Sequence, residues 1–124
     1  MRDPGLLPHA YPFRFLVAGS DTEVAFAVSA NDSWSRGGTL PPWILLEAMT
    51  QATGILLGDK EKPGGFAVQV QRYRAPRPIL PGDRLIFSST LIKRMGPVFQ
   101  GRTVARKNGR ICAAGTFTIR EAAP

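Results

Sequence analysis

The chain has 124 residues and a formal net charge of +7 at pH 7. Its length suits a single domain, expected over residues 1–124, that buries a core without disulfides or structural metal. Cys112 is the only cysteine and His9 the only histidine, which excludes a disulfide framework or a cysteine-rich metal site within one chain; we expect no cofactor. Neither a signal peptide nor an apolar membrane span is recognisable, so a cytoplasmic protein is expected.

The positive charge favours an anionic partner. Nucleic acid is disfavoured, because no predicted helix carries basic residues along one face and only Tyr73 is interleaved with the first basic cluster. An acidic protein, a phosphate-bearing cofactor and a merely solvated basic surface remain open. The basic residues form two groups, Arg72, Arg74, Arg77 and Arg84, and then Lys93, Arg94, Arg102, Arg106, Lys107 and Arg110.

The amino-terminal part predicts an extended segment followed by a β-hairpin. Residues 3–12 contain three prolines, which exclude a regular helix. Residues 13–18 form a short apolar segment and residues 19–21 a turn. Val24, Phe26 and Val28 then alternate with small or polar residues, as in a half-buried strand.

A helix is predicted over about residues 42 to 57. Residues 30–41 carry turn-forming residues, and Pro42 suits the first helical turn, which does not need its missing N–H. One broad face is apolar, a second is mildly polar, and a third stripe holds Glu47, Gln51, Gly54 and Gly58. We expect this helix to be covered on most sides. The apolar face comprises Ile44, Leu45, Ala48, Met49, Ala52, Ile55 and Leu56.

Glu47 is the only charged residue of this helix and the best catalytic candidate. A carboxylate on so apolar a helix is expected to lose hydration, which would raise its pKa and allow proton transfer near neutral pH. Two structural explanations stay open. The helix dipole favours an acidic residue in the first turns, and Gln51 one turn later is placed to hydrogen-bond it.

The carboxy-terminal half predicts antiparallel strands. Alternation runs through residues 66–70, 84–92, 98–106 and 111–119, with turns at Gly96-Pro97 and Asn108-Gly109, and Asn-Gly between alternating runs indicates a hairpin. Two strands before the helix and four after it predict an α+β fold in which a curved antiparallel sheet wraps around a central helix.

This order of elements, with three motifs, resembles the hotdog fold of the 3-hydroxyacyl-acyl-carrier-protein dehydratases of the FabA/FabZ type. Leu7–Phe13 resembles the family's Leu-Pro-His segment, and Leu46–Gln51 resembles the start of its central helix, with the acidic catalytic position at Glu47. Pro78–Leu85 resembles its Pro-Gly-Asp turn. A divergent ApeP-like branch, found in aryl-polyene and similar biosynthesis, is resembled at Gly37-Gly38, Pro41, Trp43, Glu47, Met49, Gln51, Gly65-Phe66 and Arg72–Arg74.

The resemblance implies a site shared by two subunits. Dehydration of a 3-hydroxyacyl thioester needs a base for the C2 proton and an acid for the departing hydroxyl, and the family pairs the helix carboxylate of one subunit with a histidine of the other. That histidine position corresponds to Ser33, which cannot act as the base. The family's backbone donor to the thioester carbonyl corresponds to Pro42, which has no N–H, so Trp43 or Ile44 would have to donate instead.

The other candidate site residues have more than one interpretation. Trp43 is expected either against an acyl chain or in the core or an interface, and Gln51 beside the substrate. The segment Arg72, Tyr73, Arg74 is expected to contact the phosphopantetheine of a carrier protein, or only to keep an edge strand soluble. His9 is interpreted as structural, and Cys112 as a small buried apolar residue.

Together the residues and the resemblance predict a dimer that binds acyl thioesters of acyl carrier protein or coenzyme A. The expected reaction is dehydration, with a second hotdog subunit supplying the histidine. Two alternatives are a thioesterase in which Glu47 directs water and a carrier-protein-binding module without activity.

Overall fold

The computed structural model describes residues 16–17, 22–27, 40–58, 65–80 and 82–121. These residues include one α-helix and six strands. In chain order they are β1 (Leu16–Val17), β2 (Glu23–Ala27), α1 (Pro42–Leu57), β3 (Gly65–Arg74), β4 (Arg84–Met95), β5 (Val98–Lys107) and β6 (Arg110–Glu121).

The strands form one antiparallel sheet in the order β1-β2-β4-β5-β6-β3. Strands β4, β5 and β6 follow one another through the two predicted turns, and Asn108 and Gly109 have φ of 52° and 78°, as a two-residue hairpin turn of this type requires. Strand β3, which follows the helix, pairs with β6 and lies at an edge of the sheet. The predicted hotdog architecture is confirmed.

The predicted boundaries were closest for the helix. It spans Pro42–Leu57, with Pro41 at the amino-terminal cap and Gly58 at the carboxy-terminal cap. Strand β4 reaches Met95 rather than residue 92, because Met95 still pairs with Val98 across the hairpin. The predicted turn at residues 19–21 and Val28 lie outside the described residues.

The core lies between the helix and the inner face of the sheet. Ala48, Met49 and Ala52 are fully buried, and Ile55 is half-buried, so the predicted apolar face does pack inward. The rings of Phe26 and Phe87 meet edge to face with centroids 5.8 Å apart. The other large fully buried side chains are Phe99, Phe117, Ile44, Leu85 and Val24.

A chain of hydroxyl groups joins the helix to the sheet within this core. Thr53 Oγ1 donates to the Met49 carbonyl at 2.7 Å and lies 2.5 Å from Thr103 Oγ1. Thr103 Oγ1 is also 2.6 Å from Ser89 Oγ. Since Thr53 and Thr103 are both fully buried, these bonds satisfy groups that would otherwise be costly to bury.

Arg94 fixes the carboxy-terminal end of the helix. Its Nη2 donates to the Leu57 carbonyl at 3.1 Å, and its Nη1 pairs with Glu121. The guanidinium also lies 4.8 Å from the centre of the Phe99 ring. One side chain therefore satisfies a terminal helix carbonyl and connects it to strand β6.

The outer face of the sheet is polar and basic. Arg102 on β5 lies opposite Thr116 on β6, which lies opposite Gln71 on β3, and the next row outward pairs Ala114 with Arg74. Within the described residues, no helix is long and apolar enough to cross a lipid bilayer.

Candidate functional site

The amino-terminal end of the helix is formed by two prolines. Pro41 has φ −56° and ψ 136° and provides no side-chain cap, while Pro42 has no N–H to offer. The Ile44 N–H donates to the Pro41 carbonyl at 3.0 Å. Of the two replacement donors expected from the sequence, Trp43 is therefore the better placed, because the Ile44 N–H is already engaged.

Glu47 lies in the second turn of the helix with its side chain exposed. The burial expected from the sequence was wrong for the single chain, because the sheet covers only one side of the helix and Glu47 is on the other. Desolvation of this carboxylate would have to come from another subunit or from substrate.

Gln51 does not accompany Glu47 on one face, contrary to the predicted stripe. Four residues turn a helix by about 40° beyond one full turn, and Gln51 is 6% exposed whereas Glu47 is exposed. Neither its Oε1 nor its Nε2 has a hydrogen-bond partner among the described residues, so it does not bond Glu47. A buried amide without partners is costly, and it marks a position that a polar ligand group or a partner subunit would satisfy.

Trp43 and Ile44 point in different directions from the start of the helix. Ile44 is fully buried in the core, whereas Trp43 is 56% exposed. The core alternative for Trp43 is therefore wrong within one chain. Its ring remains available to an acyl chain or to a second subunit, next to the exposed Glu47.

Arg72, Tyr73 and Arg74 do not form one contact surface. The register of β3 shifts between Gln71 and Arg74, and Arg72 adopts a φ of 51°. This bulge leaves both arginines exposed and turns Tyr73 against the core. Only Arg72 and Arg74 are therefore exposed enough to make the phosphopantetheine contact that was expected of all three residues.

The buried phenol of Tyr73 has altered acidity. Its hydroxyl has no partner among the described residues. Burial, and secondarily the neighbouring Cys112 thiol, raise the pKa of Tyr73 to about 12. Cys112 is 3% exposed, as predicted, and burial raises the pKa of its thiol. Both groups stay neutral at physiological pH and provide no nucleophile.

Ser33 and His9 lie outside the described residues. The described part of the site therefore holds one exposed carboxylate, an uncapped helix start and a buried amide. This set can polarise a bound group or exchange a proton with it through Glu47, but it contains no second acid–base group.

The sequence placed Arg102 in the second basic group, apart from Arg72 and Arg74 in the first. Arg102 approaches Arg72 and Arg74 from strand β5, and all three line one cavity on the outer face. The Asn108-Gly109 turn alone could not have indicated this position, because the β5–β6 register shifts between Ala105 and Arg106 before Arg102 pairs with Thr116. The register shift of β3 likewise had no signal in the sequence.

An antiparallel sheet wrapped around one helix, with a carboxylate near the helix start, defines the hotdog class of acyl-thioester proteins. Solved structures share this fold. The dehydratase heterocomplex ApeI:P from Xenorhabdus doucetiae superposes with a TM-score of 0.76 at 21% identity, covering 95% of this chain and 89% of that one. A hypothetical thioesterase with coenzyme A from Streptococcus pneumoniae gives 0.67 at 18% identity over 87% and 84% of the two chains.

Sequence comparison identifies the family. No protein-family model matches the chain. The 3-hydroxyacyl-[acyl-carrier-protein] dehydratase FabZ of Streptococcus uberis is 31% identical over an alignment of 126 positions. The alignment covers 91% of this chain and 90% of the relative. The chain belongs to the FabZ-type family of hotdog-fold 3-hydroxyacyl-[acyl-carrier-protein] dehydratases.

Proposed function

We propose that this protein is the carboxylate-bearing subunit of a cytoplasmic hotdog dehydratase that acts on 3-hydroxyacyl thioesters, with a second hotdog subunit supplying the histidine. The observation that carries this proposal is the exposed Glu47 beside the uncapped helix start, in a chain with Ser33 at the family's histidine position. One half of the acid–base pair is present and accessible, and the other half is missing.

The chemistry divides between the two subunits. An imidazole of the partner subunit removes the C2 proton of the acyl chain, the C2–C3 double bond forms, and the C3–O bond breaks as Glu47 gives its proton to the departing hydroxyl. The backbone N–H of Trp43 is assigned as the donor to the thioester carbonyl, where negative charge develops. The unpartnered amide of Gln51 is assigned to a polar group of the substrate.

The edge strand β3 is the surface through which the subunits are proposed to pair. It runs for ten residues at the side of the sheet, and Val68 on it is 57% exposed. An unpaired strand edge presents N–H and C=O groups to another strand. The similarity in fold to the ApeI:P dehydratase heterocomplex supports assembly with a second subunit, and the ApeP-like motifs support membership of that branch.

The acyl group is proposed to arrive on acyl carrier protein or coenzyme A. The exposed Arg72 and Arg74 are assigned to the phosphopantetheine arm or to the acidic carrier itself, because guanidinium groups bind phosphate with two parallel hydrogen bonds.

Thioester hydrolysis is the second candidate, favoured by the accessible carboxylate of Glu47 and the serine at position 33. In that reaction Glu47 directs water at the thioester carbonyl, and no histidine is needed. Hydrolysis releases a free thiol, whereas dehydration releases none.

The experiment compares the purified chain with Glu47→Gln on a panel of 3-hydroxyacyl and saturated acyl thioesters. Free thiol and 2,3-unsaturated product are measured separately. We expect neither product from the chain alone, and dehydration when a histidine-bearing hotdog subunit is added, reduced at least about a hundredfold by Glu47→Gln. Release of thiol that depends on Glu47 would replace the proposal with a thioesterase. Dehydration by the isolated wild-type chain at ordinary enzymatic rates would refute the need for a partner.

A further inference from the structure

Three arginines surround one cavity on the outer face of the sheet, opposite the face that holds the helix. Arg72 and Arg74 come from the end of β3 and Arg102 from β5. The cavity has a volume of about 560 Å³ and is completed by Pro76, Ile111 and Ala114 among others. Since the helix packs on the inner face, this cavity is separate from the Glu47 site.

The three positive charges are not neutralised within the described part of the chain. No carboxylate lines the cavity there, and none forms an ion pair with these arginines. Among the described residues, Arg102 Nη1 donates a hydrogen bond to Thr116 Oγ1 at 3.3 Å. A neighbouring cavity is also lined by basic residues, Arg77, Lys107 and Arg110, and one of them, Lys107, is paired with Asp83 at 2.9 Å.

The backbone also directs the arginines toward this cavity. The bulge at residues 72–73 turns Tyr73 inward and leaves Arg72 and Arg74 outside, and Arg72 adopts the left-handed φ of 51°, which is costly for a side chain of this size. The sheet register sets Arg102 one row away from Arg74. Three guanidinium groups around a largely apolar floor match an anion that carries more than one charge and is attached to an apolar or flat group.

We propose that this arginine pocket binds an organic phosphate bearing at least two negative charges, through Arg72, Arg74 and Arg102. The phosphate could be that of a free nucleotide-type ligand or that of the coenzyme carrying the acyl group. For the coenzyme phosphate this inference rests on the proposed function, which assigns Arg72 and Arg74 to the acyl carrier. Phosphate binding is measured without dehydration, so the two proposals fail separately.

The test titrates inorganic pyrophosphate into the purified protein at low ionic strength and measures heat and stoichiometry. We expect saturable binding of one pyrophosphate per chain, weakened about tenfold or more by Arg102→Gln. Arg72→Asn should weaken it similarly, and asparagine tolerates the left-handed backbone, so the fold is kept. Arg120→Gln is the matched control, because Arg120 is exposed on the same sheet without lining the cavity.

Absence of saturable binding, or an equal loss in Arg120→Gln, would overturn the pocket in favour of diffuse attraction by the basic surface. Coenzyme A, ADP and pantetheine, which has no phosphate, distinguish the two sources. Binding of coenzyme A that depends on Arg102 and is tighter than binding of ADP would assign the pocket to the coenzyme that carries the acyl group. Equal binding of coenzyme A and ADP would assign the pocket to another organic phosphate.

Discussion

Tyr73 packs against the core, although the sequence predicted a surface contact for it, because the backbone of β3 forms a bulge at this position. Between two exposed arginines the phenol is packed against the core beside Cys112, with its hydroxyl unpartnered among the described residues. Burial makes the tyrosinate unfavourable, so the residue belongs to the packing of β3 against the core rather than to a polar surface.

The raised pKa of Tyr73 predicts that the free energy of unfolding depends on pH. The pKa of about 12 in the folded chain exceeds the ordinary value of 10, so the unfolded chain loses this proton first and stability falls as pH rises from about 10 toward 12. A Tyr11→Phe variant leaves Tyr73 as the only tyrosine, and its tyrosinate absorbance should then titrate near pH 12. A midpoint near 10 would contradict the burial. Tyr73→Phe should reduce the alkaline loss of stability without lowering stability at neutral pH.

Thr103 is the centre of the hydroxyl chain that joins α1, β5 and β4. In Thr103→Val the volume is kept, but Thr53 and Ser89 both lose a hydrogen bond inside or at the margin of the core. We expect a loss of about 1 to 3 kcal/mol in the free energy of unfolding, measured by urea denaturation. Thr90→Val, at an exposed position of β4, is the control and should change stability by less than about 0.5 kcal/mol. Equal losses in the two variants would show that the chain of hydroxyl groups does not contribute to the free energy of unfolding.

Arg94 connects the end of the helix to the sheet, and its replacement should loosen that end. Arg94→Met keeps much of the aliphatic stem but removes the bond to the Leu57 carbonyl, the pair with Glu121 and the contact with Phe99. We expect a loss of about 1 to 3 kcal/mol, and faster hydrogen exchange in the last helical turn. Lys93→Met removes the same charge from the neighbouring exposed position. If it is as destabilising as Arg94→Met, the capping role is wrong.

The elements could be predicted where local chemistry decides them. Pro42 and Gly58 bracket the helix, and Asn108-Gly109 specifies a hairpin whatever surrounds it. Glu47 and Tyr73 could not be placed this way. The exposure of Glu47 depends on which side of the helix meets the sheet, and the direction of Tyr73 depends on a bulge that alternation does not reveal. The cavity around Arg102 likewise needs the register of three strands.

At the scale of the whole molecule, the described part of a single hotdog chain leaves several candidate site residues exposed or without a hydrogen-bond partner. Trp43 and Glu47 are exposed, Gln51 is buried without a hydrogen-bond partner among the described residues, and strand β3 forms an edge. Each feature is accounted for if a second subunit covers the helix start and completes the site. The resemblance to the family predicts that this subunit would bring an imidazole, because Ser33 corresponds to the family's histidine position.

We propose that this chain lacks the catalytic imidazole at position 33, and Ser33→His tests this most directly. Dehydration of a 3-hydroxyacyl thioester is measured for the purified wild type, for Ser33→His and for Ser33→His with Glu47→Gln. We predict no dehydration by the wild type, a gain by Ser33→His, and loss of that gain in the double variant. Turnover by the wild type alone at ordinary enzymatic rates, or a gain that survives Glu47→Gln, would contradict the account.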